Sequence, residues 1–202
     1  EYFYNVKEKY KLDDLTRLID VYDISLGLVF CNTKRRVDYV VRHLKNRGYS
    51  VDGIHGDMKQ KIRDKVMNKF RRGDIEILVA TDVAARGIDV ANVQAVFNYD
   101  VPQNPEYYVH RIGRTARAGN IGYAFTLVDG KEQRMLDNIR KTTKSKIKKQ
   151  KIPSYKEMSE IKNKLIFEEV KNIIKNDDLN NYTKSVKNLT RKNLSRSEER
   201  RV

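Results

Sequence analysis

"LGLVFCNTKRRVDYVVRHLKNRGYSVDGI", Leu26 to Ile54, changes its apolar period twice. It opens on the run Leu26–Phe30, passes to Val37, Val40, Val41 and Leu44 at helical spacing, and returns to a short apolar run over 49–54. That pattern reads as strand, helix, strand. Asn32 and Thr33 stand between the first run and the helical stripe, where a side-chain oxygen can cap the free amides of a helix. A strand's carboxyl end therefore meets a helix amino terminus, the place where open α/β sheets gather ligands. Both residues are candidates for contacting an anion such as a nucleic-acid phosphate, and equally for plain capping.

Outward from this unit the alternation continues. A helix is predicted over 60–72, strands over 75–80, 93–99 and 122–128, and a short helix entered through Asn104 and Pro105. Strands alternating with helices make βαβ units and a mostly parallel sheet covered on both faces. The expected fold is a three-layer α/β domain.

The 202 residues carry a formal charge of +15, which makes a polyanion the expected partner, nucleic acid ahead of an anionic membrane surface. The single cysteine, Cys31, excludes an internal disulfide framework and a cysteine zinc site. No apolar run reaches the ~18 residues of a membrane span, and no signal segment is recognised, so a cytoplasmic protein is expected. Charge divides the chain: residues 1–130 are net +4 and residues 131–202 net +11. The division expected is a domain over 1–140, a basic linker over 141–154, a helical hairpin over 155–193 and a disordered tail over 194–202. In the hairpin, Met158, Ile161, Leu165, Ile166, Val170, Ile173 and Ile174 form one apolar stripe, and Leu179, Tyr182, Val186 and Leu189 a second. Such helices pack on the domain, on each other or on a second chain, which makes a homodimer one expectation.

Two stretches carry chemistry. "ILVATDVAARGIDV", 77–90, runs from a buried strand into a turn of small residues that ends in Arg86, Gly87 and an acid. Small residues let a backbone approach a ligand closely. Thr81 is placed in reach of a phosphate and Asp89 in reach of a ribose hydroxyl, although Asp82 and Asp89 also suit a turn with no ligand. "HRIGRTARAG", 110–119, spaces Arg111, Arg114 and Arg117 three apart beside His110. On a helical turn they would form one cationic row, and the nearest acids along the chain are Glu106 and Asp129. Guanidinium forks suit phosphate oxygens, so the row is expected to hold a triphosphate or a strand backbone.

Taken together, "VFCNT" (29–33), "HGDMKQKIRD" (55–64), "VATDVAARGID" (79–89), "NYDVP" (98–102) and "YVHRIGRTARAG" (108–119) resemble the second RecA-like domain of DEAD-box RNA helicases, over residues 1–140. Five blocks in the right order are far more specific than any one of them. The resemblance implies an ATP-dependent enzyme that opens short RNA duplexes as two RecA-like domains close. It places an arginine-finger pair on Arg114 and Arg117, ties closure to His110 and Arg111, and sets the ribose against Asp89 with Gly87 in the same turn. Asn32, Thr33, Gly56, Gln60, Arg63 and Thr81 fall on positions along the RNA backbone or supporting it. Lys59 and Ile62 depart from residues common in the family. These residues contain neither a G-x-x-x-x-G-K-[ST] loop nor a D-E-A-D run, so ligands for Mg²⁺ and the β-phosphate are expected on an N-terminal RecA-like domain. The appended helices are similar to the start of a dimerisation module found in some bacterial members.

Three other readings compete. A DNA translocase would share the fold and the arginine finger. A non-enzymatic RNA-binding module would suit the basic tail. A hydrolase built on His110 or His55 lacks a nucleophile-elbow sequence.

Overall fold

The computed structural model describes residues 1–85, 93–116 and 122–154, together with Glu157 and Phe167. Seven strands form one sheet: β1 (Tyr2–Asn5), β2 (Gly27–Phe30), β3 (Val51–Ile54), β4 (Ile77–Ala80), β5 (Ala95–Asn98), β6 (Tyr123–Val128) and β7 (Lys148–Gln150). Their spatial order is β3-β4-β2-β5-β6-β1-β7, and every pairing is parallel. The helices are α1 (Lys11–Val21), α2 (Lys34–Asn46), α3 (Gln60–Arg72), α4 (Asp82–Ala85), α5 (Pro105–Ile112) and α6 (Gln133–Thr143). The expected three-layer α/β fold is what forms.

Alternation along β2 shows how the layers separate. Val29 and Cys31 join a core with Leu12, Leu15 and Leu18 of α1 and Val37, Val40 and Leu44 of α2. Leu28 and Phe30 join the opposite core with Val66, Met67 and Phe70 of α3. Successive side chains of a strand face opposite ways, so a strand buried on both faces must be apolar throughout, as this one is. A third cluster sets Tyr108 of α5 and Leu136 and Ile139 of α6 against Phe3 and Val128. Each fully buried aliphatic contributes about 1.5–3 kcal/mol.

Local chemistry fixes the boundaries. Thr33, extended at φ −135°, caps α2 by accepting a bond from the Arg36 amide at 3.2 Å. Asn104 does the same for α5 through the Tyr107 amide at 3.0 Å, with Pro105 in the first turn. α3 stops at Gly73, whose φ of +75° suits a residue without Cβ. Gly53 is demanded by packing: a Cβ there would lie 2.9 Å from both Val37 Cγ1 and Val41 Cγ2, so only glycine lets α2 lie this close to β3.

The segment expected to be a basic linker, 141–154, belongs to the domain. α6 runs to Thr143, β7 adds a seventh strand beside β1, and the compact unit extends to Ser154. Ile147, 2% exposed, anchors the segment in the third cluster, and Ile152 packs against the first. The hairpin expected over 155–193 and the tail over 194–202 lie outside the described residues, apart from Glu157 and Phe167.

Candidate functional site

Because all strands run the same way, their carboxyl ends share one edge of the sheet. That edge gathers Cys31–Thr33 after β2, His55–Gly56 after β3, Thr81–Asp82 after β4 and Tyr99–Val101 after β5. Arg111, the seventh residue of α5, reaches into the middle of it and is 1% exposed. Its Nε and one terminal nitrogen donate to the two carboxylate oxygens of Asp82 at 2.6 and 2.7 Å. That second nitrogen also donates to Asn32 Oδ1 at 2.7 Å. The other terminal nitrogen donates to the Asp100 carbonyl at 2.8 Å and to Asn98 Oδ1 at 3.3 Å. Phe30 lies beneath, 5.1 Å from the guanidinium carbon to the ring centre. All five N–H donors of the side chain are thereby matched.

This corrects the picture of a cationic row. α5 ends at Ile112, so Arg111 and Arg114 do not stand on one helical face. Arg111 points inward and ties the ends of β2, β4 and β5 together, apart from Arg114. The acid that neutralises it, Asp82, is distant in sequence and close only in the fold.

Arg114 occupies the turn after Gly113. Its Nε donates to the His110 carbonyl at 3.3 Å, and its side chain lines a surface depression with Phe30, Asp82, Ala85, Tyr107, His110 and Arg111. His110 is exposed at the rim. The turn continues into Ala116, whose φ of +55° is the left-handed conformation that alanine disfavours by about 1–2 kcal/mol. Thr115 holds it there, donating its hydroxyl to the Val93 carbonyl at 2.5 Å. Gly122 packs against the same turn, and a Cβ on it would come within 2.2 Å of Thr115 Oγ1. Arg117, Gly87 and Asp89 lie outside the described residues.

The positions assigned to the RNA backbone divide into two kinds. Asn32 is committed internally: Oδ1 accepts from Arg111, Nδ2 donates to the Val101 carbonyl at 2.9 Å, and the backbone amide donates to Asp100 Oδ2 at 2.9 Å. Thr33 is committed to the α2 cap. Arg63 reaches from α3 to the Ala84 carbonyl at 3.2 Å and to Gln60 Oε1 at 3.3 Å, so it steadies α4, while Gln60 also bonds Asp64. Gly56 differs: it is exposed, and a Cβ there would meet nothing within 4 Å. Among the described residues nothing requires glycine at that point. Thr81 lines a second depression with Asn32, Asp82, Val83, Gln103 and Tyr107.

Sequence reasoning passed over three of these wall residues. Tyr107 borders both depressions, Val83 of α4 is 69% exposed, and Gln103 lines the second from the loop after β5. The available signal was the Asn104 cap, which fixes Tyr107 in the first turn of α5. Cys31, next to Asn32, has its thiol pushed well above its ordinary pKa, chiefly by burial, and so stays protonated and unreactive. Among the described residues no group of three or more His, Cys, Asp or Glu is placed to hold a metal ion, and no helix is long and apolar enough to cross a membrane.

Residues 10–119 match the family profile of the helicase conserved C-terminal domain, more than half of the chain. The chain belongs to that family. This helicase C-terminal domain is 46% identical over 195 residues to the DEAD-box ATP-dependent RNA helicase CshA of Bacillus cereus, covering 96% of the chain and 37% of that protein. It therefore spans well under half the length of the curated relative. Among solved structures it resembles the Escherichia coli DEAD-box protein SrmB bound to regulator of ribonuclease activity A, with TM-score 0.71, 33% identity, and coverage of 78% of this chain and 91% of that one. It also resembles Saccharomyces cerevisiae Dbp5 bound to RNA and ADP BeF3, with TM-score 0.72, 32% identity, and coverage of 81% and 44%. The α/β layers of this helicase C-terminal domain are thus a RecA-like fold.

Proposed function

We propose that the chain forms the C-terminal half of an ATP-dependent RNA helicase, which couples ATP hydrolysis to local unwinding of RNA duplexes or remodelling of ribonucleoproteins. The observation that carries this reading is the carboxyl edge of the sheet, where the Arg114 turn and the depression lined by Thr81 and Tyr107 sit side by side on one rigid tie, Arg111–Asp82. The CshA and Dbp5 names support it.

In this reading Arg114 and Arg117 act as arginine fingers, donating to phosphate oxygens as charge develops on them. His110 at the rim meets the opposite domain, and Asp89 with Gly87 receives the ribose. Arg111 holds the strand ends so that the Arg114 turn is presented at a fixed height. Gly56 and Thr81 contact the RNA backbone directly, whereas Asn32, Thr33, Gln60 and Arg63 build the surface beneath it. Phosphate and 2′-hydroxyl contacts of this kind read shape with little sequence preference.

ATP fits the site in part, since Arg114, His110 and Tyr107 offer one cationic and aromatic wall. Mg²⁺ does not fit the described residues, which group no ligand set for it, so its ligands are assigned to an N-terminal RecA-like domain of the same protein. The part described here is accordingly inactive as an ATPase by itself. A homodimer through the helices over 155–193 and a cytoplasmic location belong to the same reading and rest on the sequence.

The test is RNA-stimulated ATP hydrolysis by the intact protein carrying Arg114→Ala or Arg117→Ala. Turnover should fall by on the order of 10³-fold with RNA affinity retained. Unchanged turnover would favour a non-enzymatic RNA-binding module, the reading that the basic tail supports.

A further inference from the structure

The end of α6 and the edge strand β7 carry Arg140, Lys141, Lys144, Lys146, Lys148, Lys149 and Lys151, all exposed, with no acid among residues 140–151. None of the seven forms an ion pair among the described residues. Some surface cations elsewhere pair, Lys34 with Asp57, Lys45 with Asp52, Arg47 with Asp13 and Arg72 with Asp74, and the ridge differs from other unpaired surface cations in gathering seven within twelve consecutive residues. Arg140, Lys141, Lys144 and Ser145 line a shallow depression whose one acid, Asp137, already accepts from Gln133.

Ordinary structural roles explain part of this ridge. Lysines on an edge strand discourage pairing with another chain, which covers Lys148 and Lys149. Cations near a helix carboxyl end suit the dipole, which covers Arg140 and Lys141. Lys144 is left over. It sits at φ +55°, a left-handed position where glycine or asparagine costs less, so a charge stands there against the backbone preference.

We infer that this ridge is a second contact for the RNA phosphate backbone, used by the part of a strand that continues past the carboxyl-edge site. The inference rests on the RNA reading above. β7 is five strand spacings from β4 and six from β3, whose carboxyl ends carry Thr81 and Gly56, roughly 24–29 Å at about 4.8 Å per spacing. The start of β7 pairs with the amino end of β1, so the ridge also lies toward the opposite edge of the sheet. A strand must extend about eight or nine nucleotides beyond the first site to reach it, at about 3.4 Å rise each. The contact is sequence-independent and salt-sensitive.

The test compares wild-type intact protein with a combined Lys141→Gln, Lys144→Asn, Lys146→Gln, Lys149→Gln variant. All four positions are exposed, and asparagine tolerates the left-handed turn, so circular dichroism and thermal melting should be unchanged. Binding is measured to 8- and 30-nucleotide single-stranded RNA across a salt series. For the 30-mer, affinity should fall at least about 10-fold at 0.1 M salt, and the log–log salt slope should become shallower by about 2 to 3. For the 8-mer, affinity and the ATPase it stimulates should not change. Equal losses on both lengths, or no loss on the 30-mer, overturn the ridge contact. So does binding of an acidic peptide that the variant abolishes while 30-mer affinity stands still. Failure of the wild type to bind the 8-mer counts instead against the carboxyl-edge site.

Discussion

Arg111 and Asp82 are joined by two parallel hydrogen bonds, 2.6 and 2.7 Å, between a guanidinium 1% exposed and a carboxylate 18% exposed. The pair couples α5 to the start of α4. Removing one partner of such a buried pair leaves a charge without compensation. Asp82→Ala should therefore destabilise the domain by about 3 kcal/mol, read as a lower urea midpoint. Arg111→Lys should fail to rescue the site, because an ammonium cannot fork to Asp82 while also reaching Asn98 and Asp100. A double-mutant cycle between Asp82 and Arg111 with a coupling energy below about 0.5 kcal/mol would refute the tie.

Two glycines separate packing from binding. Gly53→Ala places a methyl 2.9 Å from Val37 and Val41 and should cost about 1–3 kcal/mol by forcing α2 off β3. Gly56→Ala meets nothing and should leave stability within about 0.5 kcal/mol while weakening RNA binding by the intact protein. Thermal melting and an RNA titration of the two variants should move in opposite rows; a Gly56 variant with unchanged RNA affinity would remove that residue from the interface.

Ala116 stores strain beside Arg114. Ala116→Gly relieves the left-handed penalty and adds unfolded-state entropy, for a net stability gain of up to about 1 kcal/mol. The looser turn presents Arg114 less rigidly, so RNA-stimulated turnover should drop even as the melting temperature rises. A variant that melts lower than wild type would show that the turn is not strained.

Asp14 gives a pH signature. Burial pushes its carboxyl pKa up, and nearby Arg17 only partly offsets this. The folded state thus binds its proton more tightly than the unfolded state, and stability declines as pH rises from the ordinary aspartate pKa, near 3.9, to the raised one. Asp14→Asn should raise the urea midpoint at pH 7, with the gain vanishing below about pH 4. A gain that persists at pH 3 would mean that ionisation of Asp14 is not the cause.

The sequence made the central layers legible because their signals are local. Leu26–Ile54 announces strand, helix and strand by period alone, and α3 spans the residues that the helical pattern named. α1 was not read, although Leu12, Leu15, Leu18 and Ile19 mark one face, because Asp13, Asp14 and Arg17 dilute the stripe. β7 could not be read: Lys148, Lys149 and Gln150 are all exposed, so no alternation betrays a strand held by backbone bonds to β1. At the site, motif blocks singled out Arg111 and Arg114 along the chain but could not give their directions. Which arginine turns inward depends on Asn32, Asp82, Asn98 and Asp100, four partners supplied by other parts of the fold.

The sheet order also governs synthesis. β1, near the start of these residues, lies between β6 and β7, whose residues are made last in the domain. On the ribosome, Phe3 and Tyr4 stay without their β6 partners until residue 127 has emerged and without β7 until residue 150, on the order of ten seconds later. The nascent chain therefore presents an aromatic strand to whatever chaperone is at hand, and the lobe can close only after its final edge is in place.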